Sequence, residues 1–320
     1  MKTVKTQRER LLGLTGTTPC PADMEPYWER ALLQVEALGT DSIRNPASFQ
    51  ATGCVYEDLY FQGVYGARVH AKHLIPKHSG TKRPALVLFH GYHRSASSWA
   101  SLMRYACAGL EVFAMDTRGQ GGMSQDVGGV LGSTVDGHVL RGLDDPDPDK
   151  LLMRCIYLDA AQLAHIAMAE PSVDGARVAA AGASMGGGIA LACAALTPKL
   201  NRVVAIEPFL CDLHTTWELG MTEHAFSELD YYFRWFDPRH EREAEIFTRI
   251  GYVDNVNLAG RIQADVLMLT GLKDVCCPPE TQFAVFNRMT CAKRAEIYPE
   301  YGHEIAPDME DQEMAFLSGM

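Results

Sequence analysis

One serine of this chain has the sequence context of an activated nucleophile. Ser184 lies at the centre of a G-x-S-x-G pattern, between Gly182 and Gly186. An apolar run at 178–181 precedes the pattern and a small-residue run at 187–192 follows it, which predicts a strand, a sharp turn and a helix. A serine hydroxyl in such a turn attacks carbonyl carbons when a neighbouring base removes its proton. The pattern therefore predicts acyl transfer, and the alternative interpretation is a serine that only caps the helix.

A candidate base and a candidate acid follow strands in the order that this chemistry requires. His303 lies in a loop after the strand predicted at 295–298, and it alone of the eleven histidines lies beyond a strand near the C-terminus. Asp274 follows an apolar strand and a short turn. We expect it to accept the hydrogen of His303 Nδ1, which fixes the tautomer of the base. Glu207, after the strand predicted at 202–206, is a rival for the acid role.

Two backbone N–H groups are needed to hold the negative oxygen that develops during attack on a carbonyl. Met185, directly after the serine, is expected to supply one of them, and Tyr92, in the loop after an early strand, the other. His90 and His93 flank Tyr92, but no further ligand lies near them in the sequence, so a structural role is favoured over metal binding. No metal or cofactor is expected.

Predicted strands alternate with helices from residue 84 onward, which indicates a mostly parallel central sheet flanked by helices. Those strands are predicted at 85–89, 111–115, 177–181, 202–206, 265–270 and 295–298. A helix at 25–38 and strand-like runs near 54–61 and 67–75 predict an N-terminal extension with antiparallel strands. A further helix is predicted at 156–169. With the serine turn, this pattern predicts an α/β-hydrolase fold, as a single domain over 1–320.

The composition is that of an ordinary globular protein and narrows the choice of partners. The 320 residues are 47% hydrophobic and 22% charged, and the net charge of -11 disfavours nucleic acid. The longest apolar runs are strand-sized, which predicts no membrane span, and the first ten residues are too polar for a signal peptide. Nine scattered cysteines do not resemble a disulfide framework, and Cys276-Cys277 lacks the spacing of zinc ligands. A cytoplasmic location is therefore expected.

Four short motifs, in order along the chain, carry a resemblance to a known family. They are the loop at 89–92, the sequence RGQGG at 118–122, the segment 271–279 and the loop at 302–304. With these motifs the chain resembles carbohydrate esterase family 7 over nearly its whole length. That family contains acetyl xylan esterases that also act as cephalosporin C deacetylases.

The resemblance implies roles for individual residues. It places Ser184, Asp274 and His303 at the positions of a catalytic triad. It places Tyr92 and Met185 at the positions of the oxyanion hole. Supporting motif positions are Arg118, Gly119, Gln120, Gly182, Gly186 and Glu304. Met185 departs from the family, whose members usually have glutamine there; its backbone N–H is retained, but a side-chain hydrogen bond is lost.

The resemblance also implies an assembly. Residues 1–80 are expected, from their own pattern, to form the N-terminal helix and antiparallel strands, whereas the resemblance assigns residues from about 123 to 152 to an insertion that packs between subunits. Taken alone, the Gly- and Asp-rich stretch predicts only a long surface loop. A homo-oligomer is therefore expected, a hexamer by the resemblance, with no nucleic-acid or membrane partner.

The resulting functional hypothesis is a serine esterase that removes acetyl groups from small acetylated sugars and from cephalosporin C-type esters. Two alternatives stay open at this point. One is a general short-chain carboxylesterase with another acyl preference. The other is a catalytically silent hydrolase-fold protein that acts by binding.

Overall fold

The computed structural model describes residues 4–77, 82–127, 138–221 and 224–320. Within these ranges the chain forms one mixed β-sheet with helices packed against it. The strands are β1 (Ser42–Pro46), β2 (Cys54–Gln62), β3 (Arg68–Pro76), β4 (Arg83–Phe89), β5 (Glu111–Met115), β6 (Val173–Ala183), β7 (Arg202–Ile206), β8 (Asp265–Gly271) and β9 (Lys293–Tyr298).

The sheet has the order β1-β2-β3-β5-β4-β6-β7-β8-β9. The pairs β1–β2, β2–β3 and β3–β5 are antiparallel. From β5 through β4 to β9 all neighbouring strands are parallel. This arrangement confirms the predicted mostly parallel sheet with an antiparallel N-terminal part. The carboxyl ends of the parallel strands therefore meet at one edge, where this class of sheet binds its ligands.

Helices cover the two faces of the sheet, so alternate side chains of one strand enter different apolar clusters. In β4, Val87 packs into the larger cluster and Leu86 into the smaller one; in β5, Phe113 and Val112 divide in the same way. The helices are α1 (Val4–Leu11), α2 (Met24–Leu38), α3 (Trp99–Cys107), α4 (Leu152–Ala169), α5 (Met185–Leu196), α6 (Leu213–Glu218), α7 (Ser227–Phe236), α8 (Glu243–Ile250), α9 (Asn255–Leu258), α10 (Pro279–Arg288) and α11 (Met309–Ser318).

Most of the predicted elements are present, and the missed ones share a physical reason. The helix predicted at 25–38 is α2, and the helix predicted at 156–169 is the C-terminal part of α4, which begins four residues earlier. β1 was not predicted, because Ile43 is its one large apolar residue and lies 68% exposed. A strand without a buried face has no hydrophobic periodicity to reveal it.

Helix α5, which begins directly after Ser184, is buried along its whole length. Most of its residues are glycine, alanine or cysteine, and this lets the helix approach the sheet closely. A Cβ on Gly187 would lie 3.1 Å from the carbonyl oxygen of Ile206, and a Cβ on Gly188 only 2.1 Å from that of Phe209. The run of glycines after Ser184 therefore holds the start of α5 against β7 and the loop that follows it.

A buried ion pair fixes the loop after β5 to helix α4. The guanidinium of Arg118 donates from Nε and from one terminal nitrogen to the two carboxylate oxygens of Asp159, each over 2.6 Å. Both side chains are almost fully buried. Bidentate geometry of this kind compensates the desolvation of two charges best. Arg118, the first residue of the RGQGG motif, therefore fixes this motif to helix α4.

The proposed insertion is described only in part, because residues 128–137 of the stretch from 123 to 152 lie outside the described residues. Its role between subunits stays a prediction. Among the helices that the structure describes, none has both the length and the apolarity needed to cross a membrane.

Breaking the buried ion pair at one side is expected to destabilise the protein strongly. Asp159→Ala leaves the Arg118 guanidinium buried without its counter-charge, which costs about 3–5 kcal/mol in the free energy of unfolding. Urea denaturation followed by circular dichroism measures this loss. Glu241→Ala, which breaks the exposed pair with Arg239, is the control and should leave the midpoint almost unchanged. Equal midpoints for both variants would contradict the role given to the pair.

Candidate active site

Ser184 occupies the sharp turn between β6 and α5, in a backbone conformation that few non-glycine residues adopt. Its φ is 58° and its ψ is −125°. The turn is held from both sides, because the Ser184 N–H donates to the Ile206 oxygen over 2.9 Å. The backbone carbonyl oxygen of Ser184 accepts hydrogen bonds from the N–H groups of Gly188 and Phe209, over 3.1 and 2.9 Å. A strained backbone conformation that the surrounding hydrogen bonds maintain is characteristic of a nucleophile turn.

The two glycines that flank the serine make this turn possible. A Cβ on Gly182 would lie 2.4 Å from the carbonyl carbon of Gly186. A Cβ on Gly186 would lie 2.2 Å from the carbonyl oxygen of Phe89, at the end of β4. Because the clashing atoms belong to the backbone, no rotamer change relieves them. The pattern G-x-S-x-G is thus a packing requirement between β6, α5 and β4 in this chain.

His303 and Asp274 meet at the same edge of the sheet, as the sequence predicts. His303 lies in the loop after β9 and Asp274 in the loop after β8, and Nδ1 of the histidine is 2.9 Å from Oδ2 of the aspartate. The other carboxylate oxygen of Asp274 accepts the backbone N–H groups of Cys276 and Cys277 at 2.8 and 2.7 Å. The side chain of Asp274 is buried, and these N–H groups supply its carboxylate with hydrogen-bond donors.

The rival acid, Glu207, also reaches His303. Its φ of 45° turns the chain sharply after β7, and its Oε2 lies 3.4 Å from His303 Nδ1. Burial, and next the charge of Asp274, raise the pKa of Glu207 to about 8. Asp274, with two backbone donors and the shorter distance to Nδ1, is the better place for a negative charge. The geometry thus favours Asp274 as the ionised partner and leaves Glu207 protonated near neutral pH.

The protonation of His303 results from opposing influences. Burial disfavours the imidazolium, but the hydrogen bond and charge of Asp274 outweigh it and raise the pKa of His303 above its ordinary value. The imidazolium is therefore stabilised at this position. The side chain of His303 stays 24% exposed, so it is accessible to a bound substrate.

The two expected oxyanion donors belong to segments that lie next to Ser184. Met185 is the first residue of α5, where backbone N–H groups have no partner within the helix and the helix dipole favours negative charge. Its side chain is fully buried in the larger apolar cluster. An apolar side chain suits this buried position. Tyr92 follows Gly91, at which a Cβ would lie 3.6 Å from Cβ of Ser184, so its loop runs directly beside the serine.

Glu228 of α7 anchors this loop and was not predicted from the sequence. The Tyr92 hydroxyl donates a short hydrogen bond to its Oε1, and its Oε2 accepts the backbone N–H groups of Val139 and Leu140 at 2.9 and 3.3 Å. Burial raises the pKa of Glu228 to about 7, although its hydrogen bonds oppose that shift. One buried carboxyl thus joins the loop of Tyr92, the end of the insertion and α7. No sequence motif marks it, since its partners are distant in the chain.

The RGQGG loop also holds the Tyr92 loop, through the residues that follow Tyr92. Oε1 of Gln120 accepts the N–H of His93 over 2.5 Å, and the N–H of Gly121 donates to the Arg94 oxygen over 2.9 Å. Gly119 has a φ of 72°, which favours glycine. The motif therefore positions the loop that carries the expected oxyanion donor.

The remaining predicted positions differ in their contacts. The side chain of Glu304 is exposed and its Oε1 accepts the N–H of Gly302 over 3.4 Å. His90 accepts the N–H of Thr117 at Nε2 over 3.0 Å, and burial lowers its pKa. His90 is thus a neutral residue that joins the loops after β4 and β5, in agreement with the structural role expected for it.

The fold and the order of serine, acid and histidine at the strand ends define the class of α/β-hydrolases. The profile of one family, "Acetyl xylan esterase (AXE1)", matches residues 1–320. The chain therefore belongs to the acetyl xylan esterase family, a family of carboxylic ester hydrolases.

Individual relatives agree with this placement. Acetyl xylan esterase 1 from Thermoanaerobacterium sp. JW/SL YS485 is 49% identical, superposes with a TM-score of 0.94, and the match covers 97% of this chain and 98% of that one. The acetyl xylan esterase from Paenibacillus sp. R4 is 28% identical with a TM-score of 0.92, over the same shares of the two chains. Acetyl esterase Axe7A of Xylanibacter ruminicola is 29% identical over 181 residues, which are 57% of this chain and 39% of that relative's length.

A methyl group at position 186 is expected to disrupt the nucleophile turn. Gly186→Ala forces the new Cβ against the backbone of Phe89 and should cost about 1–3 kcal/mol or more in the free energy of unfolding. Gly260→Ala is the matched control, because a Cβ there meets nothing within 4 Å. Thermal unfolding compares the two variants. An unchanged melting temperature for Gly186→Ala would show that the turn does not need its glycine.

Removing the negative charge beside His303 is expected to lower the pKa of its imidazole. In Asp274→Asn the burial that disfavours the imidazolium remains, while the strongest opposing influence is lost. Titration of the imidazole Cε1–H resonance by NMR measures the change, with exposed His240 as an internal control that should not shift. A pKa of His303 that stays the same or rises would contradict the assignment of Asp274 as its partner.

Proposed function

We propose that this chain is a serine esterase that hydrolyses acetyl esters of small acetylated sugars, including acetylated xylo-oligosaccharides, and acetyl esters of the cephalosporin C type. The observation that carries the proposal is the 2.9 Å contact between His303 Nδ1 and Asp274 Oδ2, at the sheet edge where the strained Ser184 turn lies. The names of the relatives, acetyl xylan esterases and an acetyl esterase, support the choice of the acetyl group.

In the proposed reaction Ser184 Oγ attacks the acetyl carbonyl while His303 Nε2 takes the hydroxyl proton. The C=O bond opens to a tetrahedral oxyanion, which the N–H groups of Tyr92 and Met185 hold. The imidazolium of His303 then protonates the departing sugar oxygen, the C–O bond breaks, and an acetyl-enzyme remains. Water, deprotonated by the same histidine, releases acetate and restores the serine.

Asp274 holds the base in its working tautomer in this scheme. With Nδ1–H bound to the carboxylate, the lone pair of Nε2 points away from Asp274 and is available to the serine. The negative charge also stabilises the imidazolium that forms in both steps. Only the unprotonated form of His303 can act as the base. Because the pKa of His303 is raised, this form is lost at a higher pH than for an ordinary histidine, and the rate should fall as the pH drops through the raised pKa.

The preference for the acetyl group over longer acyl chains can be tested separately. Rates on 4-nitrophenyl acetate, butyrate and octanoate should fall as the chain lengthens. A preference for octanoate would replace the proposal by a general carboxylesterase. A panel of acetylated xylo-oligosaccharides and cephalosporin C then separates the two acetylated substrate classes.

We further propose a cytoplasmic homo-oligomer, with a hexamer as the family resemblance implies. All nine cysteines lie in the described ranges and none of them forms a disulfide, in keeping with a reducing compartment. Size-exclusion chromatography with light scattering measures the mass in solution, and a monomer at micromolar concentration would contradict the assembly.

Replacing the proposed nucleophile is expected to remove nearly all activity. Ser184→Ala should lower kcat for 4-nitrophenyl acetate by about 10⁴–10⁶-fold, because the covalent route is lost while binding remains. Circular dichroism and the melting temperature serve as controls for folding. A variant with the rate of the wild type would refute the mechanism, and inactivity of both proteins on every ester tested would favour a binding protein.

A further inference from the structure

Three side chains at the candidate active site together form a set of metal-ligand atoms. The Cys276 sulfur, a carboxylate oxygen of Asp274 and a ring nitrogen of His303 all lie within 4.8 Å of one another. Among the residues that the structure describes, this is the one such group of three histidine, cysteine, aspartate or glutamate side chains. The cluster is reachable from solvent, because Cys276 and His303 are only half-buried.

The ligand types and their separation suit a thiophilic divalent cation such as Zn²⁺. Zinc takes thiolate sulfur at about 2.3 Å and imidazole nitrogen or carboxylate oxygen at about 2.0–2.2 Å, so tetrahedral ligand atoms lie about 3.3–3.8 Å apart. An inward movement of about 1 Å from the observed limit is enough to close the site. Hard cations such as Mg²⁺ prefer six oxygen ligands and match this set poorly.

Glu207 lies beside His303 at the edge of the cluster, and water can supply a fourth ligand. Glu207 has one carboxyl oxygen 3.4 Å from His303 Nδ1, while its other oxygen is buried and has no hydrogen-bond partner among the described residues. Water in the fourth position gives the open coordination that is common for zinc with three protein ligands.

We propose that a thiophilic divalent cation, of which Zn²⁺ is the type, binds to Asp274, Cys276 and His303 and reversibly inhibits the enzyme. Binding releases the thiol proton of Cys276 to water and forms metal–sulfur, metal–nitrogen and metal–oxygen bonds. If the metal binds Nδ1, the hydrogen bond to Asp274 is lost and the ring proton lies on Nε2; if it binds Nε2, it occupies the lone pair there. In both cases Nε2 no longer accepts the serine proton. The inhibition rests on the proposed esterase function, whereas the binding does not.

The turn that follows Asp274 explains why the thiol is there. The backbone N–H groups of Cys276 and Cys277 hold Asp274 Oδ1, so the chain must curl around the carboxylate, and the side chain at 276 comes close to it. Sequence spacing did not indicate a zinc site at Cys276-Cys277, because His303 reaches the cluster from a separate loop. The fold, and not a linear motif, creates this set of ligands.

Zinc inhibition of 4-nitrophenyl acetate hydrolysis tests the functional part. Each variant is compared with its own metal-free rate, and EDTA should restore that rate. Cys276→Ser and Cys276→Ala should need at least about tenfold more Zn²⁺ for half-inhibition, because even loss of a second-shell partner weakens metal sites by about 10–100-fold. Cys107→Ser removes an exposed cysteine elsewhere and should respond as the wild type does. Equal inhibition of all four proteins would overturn the proposal, as would a wild type that Zn²⁺ does not inhibit.

Direct binding of Co²⁺, a spectroscopic substitute for Zn²⁺, separates this proposal from the proposed function. A thiolate-to-cobalt absorption band should appear with the wild type and with Ser184→Ala, which needs no activity, and should be lost in both Cys276 variants. A band that persists without Cys276 overturns the site. If the chain hydrolysed no ester, the esterase proposal would fail while the cobalt titration still decided whether the cation binds here.

Discussion

The close backbone contact between the serine turn and strand β4 is the constraint on which the candidate site depends. Gly186 lies against the Phe89 carbonyl with no space for a Cβ, and Gly182 lies equally close to Gly186. This contact brings the end of β6, the start of α5 and the loop after β4 together. Ser184 is thereby held at a positive φ, with its backbone N–H bound to Ile206 and its carbonyl oxygen bound to the N–H groups of Gly188 and Phe209. A looser junction would let the turn relax, and the hydroxyl would lose its position relative to His303.

A second constraint is electrostatic, because two buried carboxyl groups flank a single imidazole. Asp274 accepts two backbone N–H groups and holds the negative charge, whereas the pKa of Glu207 is raised to about 8 by burial and by that charge. Near neutral pH one carboxylate, that of Asp274, therefore lies beside His303 and orients it, instead of two. The turn that supplies these N–H groups also brings the Cys276 thiol beside the pair, which gives the site its proposed sensitivity to zinc.

The fold was predictable where burial leaves a pattern in the sequence. The parallel strands form apolar runs because both of their faces are covered, and the predicted strands at 85–89 and 111–115 are present as β4 and β5. β1 has almost no buried side chain and left no such signal. Ser184, His303 and Asp274 could be selected from their positions after strands, and their catalytic roles stay predictions.

Other parts of the site depend on contacts between distant segments. The choice between Asp274 and Glu207 requires the hydrogen bonds that each receives, since both follow strands that end at the same edge. Glu228 carries no motif, and its contacts with Tyr92 and Val139 exist only in the folded chain. Arg118 pairs with Asp159, which lies in an apolar stretch of α4. The sequence around this carboxylate does not indicate which cation it pairs with.

The central claim is that Ser184 is an activated nucleophile, and covalent labelling tests it most directly. A fluorophosphonate reacts with a serine only where a base removes the proton and an oxyanion site holds the phosphoryl oxygen. Intact-mass and peptide mass spectrometry should show one phosphonyl group per chain, attached to Ser184. A chain that remains unlabelled, or carries the label on another residue, would contradict the account.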